Sequence, residues 1–288
     1  MKAAYDLHVR RPELPSPLRR WVHEYYETGM DVPRGETARI PISATTDPVL
    51  NVMLSGSLFV RIGDGFRLPP VTIGGAQPAA YALDVSGTWR GFYVRFTTVG
   101  PLALLGVDDY SLIESGPRPL HEMVRPELTA AARAWEADLV DADDFEERVV
   151  LTSRFLLAHH REPDRRVRLL EAAVEAIDQA GGNVRIGELA RGLGVAPSTL
   201  RRHFSVLGMS PKRFACIVRF RRAHEYLRTN PDAGWSDVIG RFGYADQAHF
   251  IRDYRRFSGS PPTGWEPAER LVDRRMGIEG PPHGDGED

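Results

Sequence analysis

Two stretches near the C-terminal end of this chain share one pattern: a short apolar-periodic segment, a glycine, and a second segment rich in polar and basic side chains. The first is residues 186–204, IGELARGLGVAPSTLRRHF, and the second is residues 235–257, WSDVIGRFGYADQAHFIRDYRRF. Helix-turn-helix units are built this way, with a scaffold helix behind and a second helix free to enter a DNA major groove. Two such units joined by one further helix of defined spacing are a strong signal for two rigid helices that enter two major grooves.

In the first unit Ile186, Leu189, Ala190 and Leu193 recur on one face of a predicted helix over 185–192, with Asn183 expected as its cap. Gly194 supplies the turn, where a positive φ meets no Cβ penalty. Pro197 suits a first helical position, since its missing N–H has no intrahelical partner there. The helix it opens buries Leu200 and Phe204 and turns Ser198, Thr199, Arg201 and Arg202 outward. Arg forks onto guanine O6 and N7 or neutralises a phosphate, and Ser and Thr reach either. A solvated helix face is the alternative for an isolated Arg pair; the glycine turn and the scaffold helix argue against it here.

A lead helix packing through Leu169, Ala173, Val174 and Ile177 stops at Gly181-Gly182. From Ser210-Pro211 a long helix is predicted to about Thr229, a rigid spacer buried through Phe214, Val218, Ala223 and Leu227. It leaves Arg213, Arg221, Arg222 and Arg228 to solvent or phosphate, and it holds the single cysteine, Cys216, which is expected to pack. In the second unit Val238, Ile239 and Phe242 point inward, Gly243 turns the chain and Asp246 caps the next helix. Phe250, Tyr254 and Phe257 form its inner face, leaving Gln247, His249, Arg252 and Asp253 more exposed. Gln matches adenine N6/N7, and Arg252 matches guanine or phosphate. His249 is open between reading a base and making a structural hydrogen bond.

Charge agrees with this reading. The formal net charge is −2, yet residues 165–275 hold 20 Lys and Arg against 12 Asp and Glu, a net +8, while the rest nets −10. A basic segment beside an acidic one points to a polyanion, here double-stranded DNA, as partner of the basic part. No run approaches the roughly 18 apolar residues of a membrane span, and the N-terminal residues lack the apolar stretch of a secretory signal. A cytoplasmic protein with no membrane partner is expected. One cysteine excludes an intrachain disulfide framework and a multi-cysteine zinc site.

The N-terminal part has a β texture over 39–98. Residues 49–54 and 58–62 are apolar runs around Ser55-Gly56-Ser57, which predicts a hairpin. Residues 89–96, WRGFYVRF, alternate through Phe92, Val94 and Phe96, the signature of a half-buried strand. From Pro126 the texture turns helical, with Leu128, Ala131, Ala132, Trp135 and Leu139 on one apolar face and Val149, Val150, Phe155 and Leu156 on another. Tyr81, Trp89, Tyr93 and Arg95 are the candidate lining of an effector pocket, the alternative being ordinary core aromatics. His8, His23 and His121 are scattered without a close pair, and neither a Ser–His–Asp nor a phosphate-loop motif occurs. No metal, cofactor or catalytic residue is expected.

Residues 167–265 resemble the DNA-binding domain of AraC/XylS-type transcription regulators. The resemblance rests on Ile186, Leu189, Ala190, Ser198, Leu200, Arg202 and Phe204, then Gly208, Ser210, Pro211, Phe214, Arg219, Ala223 and Leu227. It continues through Val238, Gly243, Tyr244, His249, Phe250, Arg252, Tyr254, Gly259 and Pro262. Gly240, Pro261 and Trp265 depart from the pattern. The resemblance implies that Ser198, Arg201, Arg202, Gln247 and Arg252 face DNA. Pro17-Leu18, Val22, residues 91–95 and residues 100–106 resemble the β-rich, cupin-like sensor domain often placed ahead of such a domain.

The expected fold is therefore α+β: a small β-rich domain with flanking helices, then an all-α bilobed double helix-turn-helix domain. The expected boundaries are 1–125 for the β-rich domain, 126–163 for a helical linker region, 164–273 for DNA binding and 274–288 for a disordered tail. The expected function is promoter regulation under a small-molecule effector or dimerisation, with RNA polymerase as a partner if the protein activates. An enzyme or ligand-binding protein whose β-domain carries the activity is the alternative. A DNA-repair methyl acceptor would need a reactive cysteine, which Cys216 inside a helix fits poorly.

Overall fold

The computed structural model describes residues 4–10, 14–107, 109, 118–230 and 233–262; the expected tail lies outside them. Its strands are β1 (Ala4–Arg10), β2 (Val22–Asp31), β3 (Ala38–Ile42), β4 (Val49–Ser55), β5 (Leu58–Arg61), β6 (Phe66–Arg67), β7 (Val71–Gly74), β8 (Tyr81–Val85) and β9 (Thr88–Phe96). They form two antiparallel sheets, one in the order β1-β2-β9-β4-β7 and the other β3-β8-β5-β6.

The expected hairpin is not one. β4 pairs with β7 and β9, whereas β5 pairs with β6 and β8, so Ser55-Gly56-Ser57 carries the chain from one sheet to the other. Two apolar runs around a glycine turn look the same for a hairpin and for a sheet corner. What selects the corner is tertiary: β4 slips register against β9 between Met53 and Ser55, a bulge that bends a strand out of its ladder. Gly56 then passes at φ +74°, so close to β9 that a Cβ would lie 2.3 Å from the Thr88 carbonyl oxygen.

β9 is buried on both faces rather than one. Phe92, Val94 and Phe96 join a core shared with helices, while Trp89 and Tyr93 join a second core between the sheets. The helices on the outer side are α1 (Gly100–Leu105), α2 (Leu120–Met123), α3 (Thr129–Asp141) and α4 (Phe145–His159). Trp135 of α3 stacks on Phe155 of α4 at 4.2 Å, and Phe145 meets Phe92 edge-on at 5.9 Å. Arg148 donates to Glu27 at 2.9 Å, and Tyr25 Oη lies 3.1 Å from Ser153 Oγ, so α4 is tied to β2 by polar groups too. Val150, counted on the apolar face from the sequence, is 52% exposed instead.

After residues 160–164 the chain enters the helical half: α5 (Arg165–Gln179), α6 (Ile186–Gly192), α7 (Pro197–Phe204), α8 (Pro211–Thr229), α9 (Trp235–Phe242) and α10 (Gln247–Ser258). Asp164 caps α5 through the Val167 N–H, and Ser210 caps α8 through the Arg213 N–H. Asn183 caps nothing: the residue ahead of α6 is Arg185, without a side-chain bond. The Asn183 carboxamide instead lies over Gly243, where a Cβ would come within 2.6 Å of its Oδ1. The side chain that sequence spacing assigns to a local cap thus joins the two lobes.

Candidate functional site

The first lobe is α6 and α7 packed on α5. Gly194 turns at φ +68°, and Pro197 opens α7. Leu200 and Phe204 are fully buried, with Phe204 edge-on to Phe214 of α8 at 5.6 Å. Ser198, Arg201 and Arg202 are exposed, and Thr199 is half-buried. His203 is held below its ordinary value by partial burial and by the cations Arg166 and Arg202.

The second lobe is α9 and α10 packed on α8. Gly243 turns at φ +66°, and Asp246 accepts from the His249 N–H at 2.7 Å. Phe250, Tyr254 and Phe257 are buried, while Gln247 and Arg252 are exposed. His249 is half-buried and lies 3.5 Å from Asp253, with its ring edge-on to Tyr244 at 5.3 Å. Asp253 also pairs with Arg219 at 3.3 Å, and Arg219 lies over the Tyr244 ring at 4.6 Å. His249 therefore stands within an internal network that fixes α10 against α8.

The basic side chains divide into two groups. Among the described residues, Arg201, Arg202 and Arg252 form no ion pair. The arginines of α8 do not reach solvent freely, as the sequence suggests. Arg221 donates to Thr46 Oγ1 at 2.6 Å, Arg222 to the Asp178 carbonyl at 2.7 Å and Arg228 to Glu225, and Arg213 lies over Phe257. The unpaired Arg201, Arg202 and Arg252 lie on the two second helices, α7 and α10.

Cys216 is half-buried, and burial pushes its thiol above the ordinary value despite the nearby Arg219. A thiol so held is a poor nucleophile.

The β domain encloses a cavity of about 90 Å³ between its sheets. Tyr81, Trp89, Tyr93 and Arg95 all line it. Trp89, Tyr93 and Arg95 share one face of β9 because they are spaced by two and four residues. Gly91, between them, leaves room for the Tyr93 ring: a Cβ there would lie 2.5 Å from Tyr93 Oη. Arg95 pairs with buried Glu24 at 3.0 Å and faces Asp47 at 3.9 Å. The last wall residue, Arg221, belongs to α8 and lies 3.9 Å from Asp47. Burial works against the Asp47 carboxylate, yet Arg221, His23 and Arg95 together hold it below its ordinary value. Glu24, Asp47, Gln77 and Arg221 carry no local sequence signal for this site, since the partners of Arg221 lie some 175 positions away.

The two halves meet beside this cavity. The Ala44 N–H donates to the Phe257 carbonyl at 2.7 Å, and the Ala80 N–H to the Arg256 carbonyl at 3.3 Å. Farther off, Arg20 grips Glu171 of α5 with two bonds of 2.7 and 2.5 Å. Among the described residues no helix is long and apolar enough to cross a membrane, and no three of His, Cys, Asp and Glu gather as a metal site.

Residues 189–267 match the family model of a helix-turn-helix domain. No curated protein matches the chain. It is similar to a solved structure of ToxT from Vibrio cholerae O395, at 10% identity over 88% of this chain and 98% of that one, with a TM-score of 0.47. The unsaturated fatty acid-bound wild-type ToxT from Vibrio cholerae strain SCE256 gives 10% identity over 86% and 95%, with a TM-score of 0.46. Phpd with cadmium complexed with hydroethylphosphonate gives 14% identity over 73% and 47%, with a TM-score of 0.24. With its two glycine turns and its two outward basic helices, the matched segment is a helix-turn-helix domain.

Proposed function

We propose that this protein is a cytoplasmic, sequence-specific transcription regulator that sets α7 and α10 into adjacent major-groove segments of a promoter. The observation that carries this reading is the division of its arginines, with unpaired Arg201, Arg202 and Arg252 on the two second helices and internally bonded ones on the helix between them. In this reading Arg202 and Arg252 read guanine or hold phosphate, Ser198, Thr199 and Arg201 support the first contact, and Gln247 addresses adenine. His249 positions α10 from its network with Asp253 and Tyr244.

A small-molecule effector acts from the β domain, where Tyr81, Trp89, Tyr93 and Arg95 converge on one cavity. No catalysis is assigned to that cavity. A second copy of the chain is a further partner, supported by the exposed Val150 and Leu157 seven residues apart on α4. RNA polymerase is a partner if the protein activates.

The test is fluorescence anisotropy with DNA from upstream of its own and neighbouring genes, against scrambled DNA, across a salt series. A preference of at least ~10³-fold for one fragment with a steep salt slope is expected. Equal, weak binding to all fragments, with and without cell extract as an effector source, would remove the reading.

A further inference from the structure

We propose that the β-domain cavity binds a compact, uncharged ring compound carrying a hydroxyl, recognised by Tyr93 Oη and Gln77 Oε1. The proposal rests on the reading of that cavity as an effector site and names the chemistry of the effector.

Size comes first. The cavity of about 90 Å³ is below the roughly 150 Å³ of an engineered apolar cavity that takes up benzene. A single small ring is the scale it admits, with some yielding of side chains. The walls agree, since Tyr26, Leu58, Val60, Leu83 and Trp89 supply a largely apolar surface of aliphatic and aromatic side chains.

Charge comes second. At the Arg221 end two guanidiniums, Arg95 and Arg221, already face two carboxylates, Glu24 and Asp47. His23, 3.8 Å from Asp47, is held below its ordinary value by burial and by both arginines. The set is balanced as it stands. A carboxylate or ammonium brought into it would leave one buried charge uncompensated, which a low-dielectric site penalises strongly. A neutral ligand leaves the balance intact.

Polarity comes third. Tyr93 is 3% exposed and Gln77 is 2% exposed. Trp89 Nε1 lies 3.0 Å from Met53 Sδ and also donates toward Tyr93 Oη, whose own O–H meets no acceptor in the protein. Gln77 donates Nε2 to the Gly75 carbonyl at 3.1 Å, which fixes the amide orientation and leaves Oε1 unpartnered. The ligand must therefore offer an acceptor to the tyrosine hydroxyl and a donor to the amide oxygen, because buried polar groups are ordinarily hydrogen-bonded. One hydroxyl does both.

The experiment is isothermal titration of the full chain with phenol, toluene and benzoate. Phenol is expected to bind at least ~10-fold more tightly than toluene, the scale of satisfying a buried polar group, and benzoate is expected to bind more weakly than either. Tyr93→Phe removes one hydroxyl and no volume, and it should bring the phenol-to-toluene ratio close to unity while toluene still binds. Gln77→Leu should do the same, and if it fails to fold, Tyr93→Phe decides alone. Benzoate binding as well as phenol, equal binding of phenol and toluene by the unaltered chain, or heat from none of the three would each overturn the proposal. None of these readouts involves DNA, so promoter binding that persists alongside such a failure overturns only the ligand class.

Discussion

The two lobes of the helical half are built to one plan but are held differently. In the first, α7 starts at Ala196-Pro197 with no side-chain cap, and its exposed arginines project from a helix packed on α5, which Arg20 and Glu171 tie to the β domain. In the second, α10 is capped by Asp246, and its terminal carbonyls at Arg256 and Phe257 accept from Ala80 and Ala44 of the β domain. Its supporting helix α8 reaches Thr46 through Arg221. The second lobe therefore has the more direct contacts with the β domain. Two units of similar plan are thus joined unequally to the rest of the molecule.

The largest effect is expected where both lobes share a support. Gly182 sits at φ +79°, and a Cβ there would lie 2.2 Å from the Ala215 carbonyl oxygen of α8. Gly182→Ala is expected to destabilise the helical half by about 2–4 kcal/mol, from backbone strain and overpacking together, measured as a shift of the chemical denaturation midpoint. If DNA binding survives unchanged, the lobes do not depend on a common scaffold.

Next come the reading helices themselves. Arg202→Ala and Arg252→Ala should each cost about 1–3 kcal/mol of specific DNA affinity, read by anisotropy, with circular dichroism unchanged. If both variants keep the affinity and the salt slope of the parent, these side chains are not the contacts.

Arg221→Ala is expected to alter promoter affinity by less than about 10-fold and to act unevenly. Hydrogen exchange should quicken in residues 42–47 and in α10 while α7 stays protected. Equal quickening in both second helices would erase the asymmetry.

The smallest effect is expected from pH. Burial holds His23 below its ordinary value of 6.5, so the folded chain refuses a proton that the unfolded chain accepts, and stability falls as the pH drops below about 6.5. Asp47, held below its ordinary 3.8, contributes stability above that value and loses it as the pH falls further. Denaturation midpoints at about pH 7.5 and about pH 5.5 should differ in the parent and differ less in His23→Gln, where the depressed His159 and His203 remain.

What sequence reveals here follows how far apart the interacting groups lie. Gly194, Pro197, Gly243 and Asp246 act within one turn of themselves, and each was legible from its neighbours. The alternation that places Trp89, Tyr93 and Arg95 on one strand face was legible for the same reason. Gly56 was not, because a turn glycine does not say which sheet the next strand joins; the crowding against Thr88 decides that. Arg221 and Asn183 were misread because their partners come from other parts of the fold, Thr46 in one case and Gly243 in the other. Side chains with no local partner are the ones a single sequence cannot assign, and here they are the ones that join the two halves and the two lobes.

β9 behaves as a partition with no slack. Its inner side chains, Trp89 and Tyr93, touch the cavity, and its outer ones, Phe92, Val94 and Phe96, are wedged among the helices leading to α5. Close-packed interiors transmit strain rather than absorb it. A molecule pressing on the inner face must therefore move the aromatic rings behind it, and the strand acts like the skin of a drum whose far side already touches the machinery it drives.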